Sequence, residues 1–428
     1  MSTEAPPKFV NENGVRKLNP AWKAWNTQQT GGAPPAVPAM LNADTALPVV
    51  TSVAEQQRQL VGTATTASVA ASVEMLQDPD IAKQVGADPQ QILAKLGQVF
   101  SKYEIPVGLL NKLMGLSEFE IIEMIVDDSG SMNAPTDAVD PRTNKPLTRW
   151  QEVFQRLTQM FETVAFVPCP PIIVRFLNRA TTIDARHAPG EAPEVFLQRT
   201  MGQVSQAFAQ PPAGTTPAAE RIGESLGRYR GQAVLRYFFG DGVPNGGAQA
   251  AMKITQMLIH RPDPHRNPFT FLSCTNEDAA VEWMKECEEA APFCAEFDDY
   301  ADEAGEVLKD QGKAFPYTFG MHLVGQLVAA FNPNDLDAMD ESAPFTKATL
   351  DNLQGWQCSV QEYDYYFNSF LEAQGRQPTQ TPVDQFKKGY LNVWKQNIDA
   401  FRSAAQAKDI PAVQQFHHQL TEIKKRGG

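Results

Sequence analysis

Between residues 119 and 331, short apolar runs alternate with amphipathic stretches of helical length, and this alternation leaves the chain few folds to adopt. Runs at 120–126, 171–177, 233–239, 269–274 and 294–297 are rich in β-branched and aromatic residues and read as strands. Between them, residues 149–164 place Trp150, Val153, Phe154, Leu157, Met160 and Phe161 on one helical face. Further helices are predicted over 193–208, from Thr216-Pro217 to about 229, over 247–259, around Trp283, and twice more before Phe331. Such alternation implies an α/β fold, a doubly wound and mostly parallel sheet with helices on both faces. Ligands of such sheets sit beyond the carboxyl ends of the strands, near a topological switch point.

Two runs end at carboxylates. Glu120-Ile121-Ile122-Glu123-Met124-Ile125-Val126 stops at Asp127-Asp128-Ser129-Gly130-Ser131, and the 233–239 run stops at Gly240-Asp241-Gly242. Asp127, Ser129 and Ser131 offer one acid and two hydroxyls on alternate residues, able to converge above the strand end. Hard oxygen ligands of this kind suit Mg²⁺ or Mn²⁺.

Asp127-x-Ser129-x-Ser131 resembles the D-x-S-x-S element of a metal-ion-dependent adhesion site in von Willebrand factor A domains. Ala213-Gly214-Thr215-Thr216-Pro217 is similar to that family's Gly-x-Thr-Pro loop, and Pro217 puts the ligand at Thr216 rather than Thr215. Asp241-Gly242-Val243-Pro244-Asn245 resembles its Asp-Gly-x-Pro-Asn. The resemblance covers about 118–331 and extends to Arg149-Trp150, Phe176-Leu177-Asn178 and Asp298-Asp299-Tyr300-x-x-Glu303, in the manner of an intracellular branch. It implies a metal set of Asp127, Ser129, Ser131, Thr216 and Asp241, with the hydroxyls binding directly. An octahedral position then stays open for an Asp or Glu of a partner protein. Asp128, in the variable position, is expected to point away from the metal and cap the following loop.

Composition narrows the function further. A net charge of −13 disfavours general binding to nucleic-acid backbone, which needs clustered Lys and Arg. Five cysteines without a Cys-x-x-Cys pair argue against a disulfide framework and for a reducing compartment. The first residues carry no apolar signal region, and no apolar run approaches the roughly 18 residues of a membrane span. A soluble cytoplasmic protein is the expectation. No catalytic constellation stands out: Ser129 occupies the place of a dehalogenase-type second Asp, no G-x-x-x-x-G-K-[ST] motif occurs, and neither Ser129 nor Ser131 has a His partner identifiable in the sequence. The chain is therefore expected to be a binding module rather than an enzyme. A structural scaffold is the alternative, and a metal-dependent hydrolase a more remote one.

The flanks read differently. Residues 1–50, with Gly31-Gly32-Ala33-Pro34-Pro35, predict a mobile tail interrupted by Lys8-Phe9-Val10 and Trp22-Lys23-Ala24-Trp25. Residues 51–117 predict a short helical unit, in which Asp88-Pro89-Gln90-Gln91 has the form of a capping box. A domain over 118–335 follows, then a helical extension over 340–428. Its aromatic stripes are Tyr363, Tyr366, Phe367, Phe370, Leu371 and then Phe386, Tyr390, Val393, Trp394, Ile398, Phe401, with Ile410 to Ile423 as a third. His417-His418 and Lys424-Lys425-Arg426 read as surface, His260 and His265 as solvated, Cys287 and Cys294 as core, and the acids from Glu277 to Glu306 as a solvated face.

Overall fold

The computed structural model describes residues 9–12, 15–18, 69, 71–140, 144–188, 190–275, 277–333 and 335–375. At its centre lies a six-stranded sheet built from β3 (Ile121–Val126), β6 (Ile172–Phe176), β7 (Thr182–Ala185), β8 (Val234–Gly240), β9 (Phe269–Ser273) and β10 (Cys294–Phe297). Its spatial order is β10-β9-β8-β3-β6-β7. Counted along the chain within this sheet, that is the 3-2-1-4-5-6 order of doubly wound nucleotide-binding folds. All pairings are parallel except β6 with β7. The switch point falls between β3 and β8, where Val126 pairs with Phe239.

Alternation along the strands sends side chains to two cores. Ile122, Met124, Val126, Val174, Phe176, Tyr237 and Phe239 join one cluster. That cluster takes in Trp150, Val153, Leu157 and Phe161 of α4 (Arg149–Val164) and Phe208 of α5 (Pro193–Phe208). Ile125, Phe238, Phe269 and Phe271 face the other way. They meet Ile222 of α6 (Ala218–Arg228), Ile254 and Leu258 of α7 (Ala248–Ile259), and Met284 and Cys287 of α8 (Asp278–Ala290). Cys287 and Cys294 are buried there, as the sequence implies, and His260 and His265 are exposed.

The flanking helices share the first core. α2 (Pro89–Tyr103) buries Ile92, Leu93, Leu96 and Phe100 in it. After α9 (Tyr300–Gln311) and α10 (Phe319–Val328), α11 (Lys347–Gln354) and α12 (Val360–Ala373) add Leu350, Leu353, Tyr363 and Tyr366. Tyr366 is tied down by donating to Gln311 Oε1 at 2.6 Å.

Several local expectations change. Asp88 caps α2 through Gln90 N and Gln91 N, but no return bond from Gln91 completes a capping box. Complete boxes form at Thr148/Gln151 and Ser359/Glu362. Gly115 ends the short helix α3 (Leu110–Met114) as its C-cap, but in a right-handed conformation that opens a 3₁₀ turn reaching Glu118. Within the N-terminal tail, β1 (Phe9–Glu12) pairs antiparallel with β2 (Val15–Leu18). The Asn13-Gly14 dipeptide between them is a strong two-residue hairpin signal. A second hairpin joins β4 (Pro135–Asp140) to β5 (Lys145–Thr148) ahead of α4. Trp22 to Trp25, the two stripes after Phe386, His417-His418 and the terminal basic patch lie outside the described residues. Among the described residues no helix is long and apolar enough to cross a membrane.

Candidate functional site

Asp127 leaves β3 one residue past its end and Asp241 leaves β8 in the same way, so neighbouring parallel strands deliver both acids to the switch point. Backbone bonds fix the strand ends: Asp127 N donates to Phe239 O at 2.9 Å and Leu177 N to Val126 O at 3.1 Å. Beyond them the chain turns back at Ser129, whose N–H donates to Asp127 Oδ1 at 2.8 Å. A 3₁₀ turn over Gly130–Asn133 follows.

That turn lines up the hydroxyls. Ser129 Oγ and Ser131 Oγ share a 2.9 Å hydrogen bond, and Ser131 Oγ donates to Asp241 Oδ1 at 2.8 Å. Four of the five expected ligands thus form one connected cluster. Asp127, Ser129 and Asp241 lie beneath the surface, while Ser131 is exposed above them.

Thr216 stands beside this cluster without being bonded into it. Its N–H donates to Asn245 Oδ1 at 3.1 Å and its carbonyl accepts from Asn245 N at 2.8 Å, which ties its loop to the one carrying Asp241. Asn245 Nδ2 donates to the neighbouring hydroxyl, Thr215 Oγ1, at 2.8 Å. The same loop closes over Asp127 through Ala213 N to Asp128 O (2.8 Å) and Gly130 N to Gly214 O (3.2 Å). Gly214 is required there: its φ is +117°, and a Cβ would come within 2.6 Å of the Asn178 side chain.

Asp128 turns away from the cluster, but it does not cap the following loop. Its Oδ1 accepts from Asn178 N (2.8 Å) and Nδ2 (3.0 Å), and its Oδ2 accepts from Arg179 Nε at 2.7 Å. It therefore pins the β6–β7 connection, 50 residues downstream. Asn178 passes the restraint on, exchanging bonds with the backbone of Thr215.

The electrostatics of the two site acids differ. Asp241 Oδ2 accepts from Arg149 Nη1 at 2.9 Å, and Arg149 Nη2 reaches the exposed Glu277 at 2.9 Å. Asp127 Oδ2, by contrast, is buried without a hydrogen-bond partner. Burial pushes the Asp127 carboxyl up to about 7, opposed by hydrogen bonding from Ser129 and reinforced by Asp241 and Asp128. An orphaned carboxylate oxygen beneath two hydroxyls and a second acid fits a hard divalent cation. Among the described residues no group of three or more His, Cys, Asp and Glu side chains is arranged to hold a metal. The cluster here is of another kind, two carboxylates with serine hydroxyls.

Arg149 is the site residue least visible in the sequence as a charge partner. It begins a helix, yet its guanidinium spans 92 residues to Asp241. Glu277 belongs to the acidic stretch expected to be solvated. That stretch also turns inward, with Asp298 and Glu303 buried and Lys285 paired to Asp298 at 2.8 Å. The hydroxyls of Ser129 and Ser131 engage each other and Asp241 and make no hydrogen bond with a described histidine. No protein-family model and no curated protein matches the chain, so the chemistry of the site rests on its own geometry.

Proposed function

We propose that this protein is a metal-dependent protein-binding module of the von Willebrand factor A type, acting within a cytoplasmic protein assembly rather than as an enzyme. Asp127, Ser129, Ser131, Asp241 and the adjacent Thr216 would hold Mg²⁺ or Mn²⁺. The single observation that carries the reading is the unpartnered, buried Asp127 Oδ2 under the connected Ser129–Ser131–Asp241 cluster. A bound cation supplies the missing partner for that oxygen and, with neutral hydroxyls around it, stays electrophilic toward an outside carboxylate. The residues of the chain do the rest. Asp128 and Asn178 hold the loops in register, and Arg149 holds Asp241. The exposed Ser131 marks the side from which an Asp or Glu of a protein partner arrives.

One observation favours a second reading. Arg149 already supplies a positive charge to Asp241, as in a loop cluster stabilised from within, whose protein would act as a scaffold through its helices. Affinity capture from lysate in Mg²⁺ or in EDTA, with wild type and Asp127→Asn, separates the two. Partners retained only by wild type in Mg²⁺ support the metal-dependent module. An identical partner set in all four samples supports the scaffold.

A further inference from the structure

We propose a second ligand site, distinct from the switch-point cluster: an arginine-lined cavity of about 240 Å³ that takes a small, multiply charged phosphate-type anion. It opens between β6, the start of β7 and α6, on the face of the sheet that α6 flanks, and Arg175, Arg179, Arg221 and Arg228 line it. Its acids are Glu123 and Glu224.

The charge balance is unusual for a chain of net charge −13. The network at the cavity joins these four arginines and Arg236 to three acids, Glu123, Glu224 and Asp128. Five cations against three anions leave a local charge of +2. Arg179 commits all but one of its N–H groups, to Asp128 and to the carbonyls of Ala207, Gln210 and Pro211, so it mainly shapes the wall.

The others are less committed. Arg175 spends Nε on Glu123 and Nη1 on Thr182 Oγ1, and Arg221 spends Nε on Leu177 O and Nη1 on Glu224. Their Nη2 groups have no hydrogen-bond partner among the described residues, and Arg228 commits Nη1 as a donor to Glu123 while its Nη2 stands 3.9 Å from Glu224 Oε2. Glu123 fixes the guanidiniums of Arg175 and Arg228 from below, so their remaining N–H groups are held in place before a ligand arrives. Planar guanidinium forks converging in a concavity recognise phosphate oxygens in preference to single-charge anions. The volume lies below the range of drug-sized pockets, which favours a small oxyanion over a nucleotide.

Calorimetric titration of the full chain with inorganic pyrophosphate, and with inorganic phosphate in parallel, tests this in about 0.15 M salt without divalent cations. Saturable one-site binding is expected, tighter for pyrophosphate. Arg221→Gln and Arg228→Gln should each weaken it about tenfold, a typical effect of losing a hydrogen bond to a charged group. Glu224→Gln, at a half-exposed position where folding is safe, should tighten it several-fold. Absence of saturable heat from wild type overturns the proposal, as does affinity indifferent to Glu224→Gln. Because no metal is present, the outcome is separable from that of the switch-point site.

Discussion

Glu123 and Asp127 sit four residues apart, the first within β3 and the second just past its end, and both are fully buried, yet the protein treats them in opposite ways. Around Glu123 every oxygen is answered. Oε1 accepts from Arg175 (3.1 Å) and Arg228 (2.8 Å), Oε2 accepts from Ser225, and Arg236 stands at 3.9 Å. Asp127 receives one backbone bond on Oδ1 and nothing on Oδ2. A buried carboxylate with cations around it is part of the architecture. One left half-satisfied at the carboxyl end of a strand, at a switch point, has the form of a site awaiting a ligand.

The largest effect should come from breaking the answered carboxylate. Glu123→Ala strands Arg236 in the core and is expected to cost about 3–5 kcal/mol, read from urea unfolding. A loss below about 1 kcal/mol would mean that the arginines are held by solvent instead. Asp127→Asn sharpens the contrast from the other side. In the absence of metal it should be within about 1 kcal/mol of wild type or more stable, because it removes a charge whose burial is uncompensated. Addition of Mg²⁺ should raise the Tm of wild type and leave this variant unmoved.

The smallest effect concerns a third buried acid, Glu303. Burial, with Asp340 and Glu296 nearby, raises its carboxyl well above the ordinary 4.5. The native state therefore keeps a proton that the unfolded chain releases above about pH 4.5, and stability from this group falls as pH rises through that window. Glu303→Gln should accordingly melt higher than wild type at neutral pH, with the gap closing toward pH 4. A gap that widens on acidification would reverse the assignment.

How much of this is legible in the sequence depends on how local the cause is. β3, β8 and β9 are readable because they are buried on both faces and spell runs that are largely apolar. β7, at the antiparallel edge with only Thr182 to Ala185, alternates exposed and buried residues over four positions and is too short to announce itself. The hairpin of β4 and β5 was hidden behind a Pro- and Asp-containing segment that reads as loop. At the site, Asp127, Ser129, Ser131 and Asp241 could be selected because each lies at or just after a strand end. Nothing near Arg149 in the sequence names Asp241 as its partner, nor does Asp128 reveal its hold on Asn178 and Arg179. Those are products of strand order, which brings distant loops together. Glu123 and Arg236 are charges inside apolar strands, and their meaning comes only with the register that places them side by side.

The most direct measurement is calorimetric titration of Mg²⁺, and separately Mn²⁺, into wild type and into a Ser129→Ala/Asp241→Ala variant. Wild type should bind one equivalent saturably and the double variant should show no binding above dilution heat. Negligible heat from both proteins, or equal affinity in both, would contradict a cation site at the ends of β3 and β8.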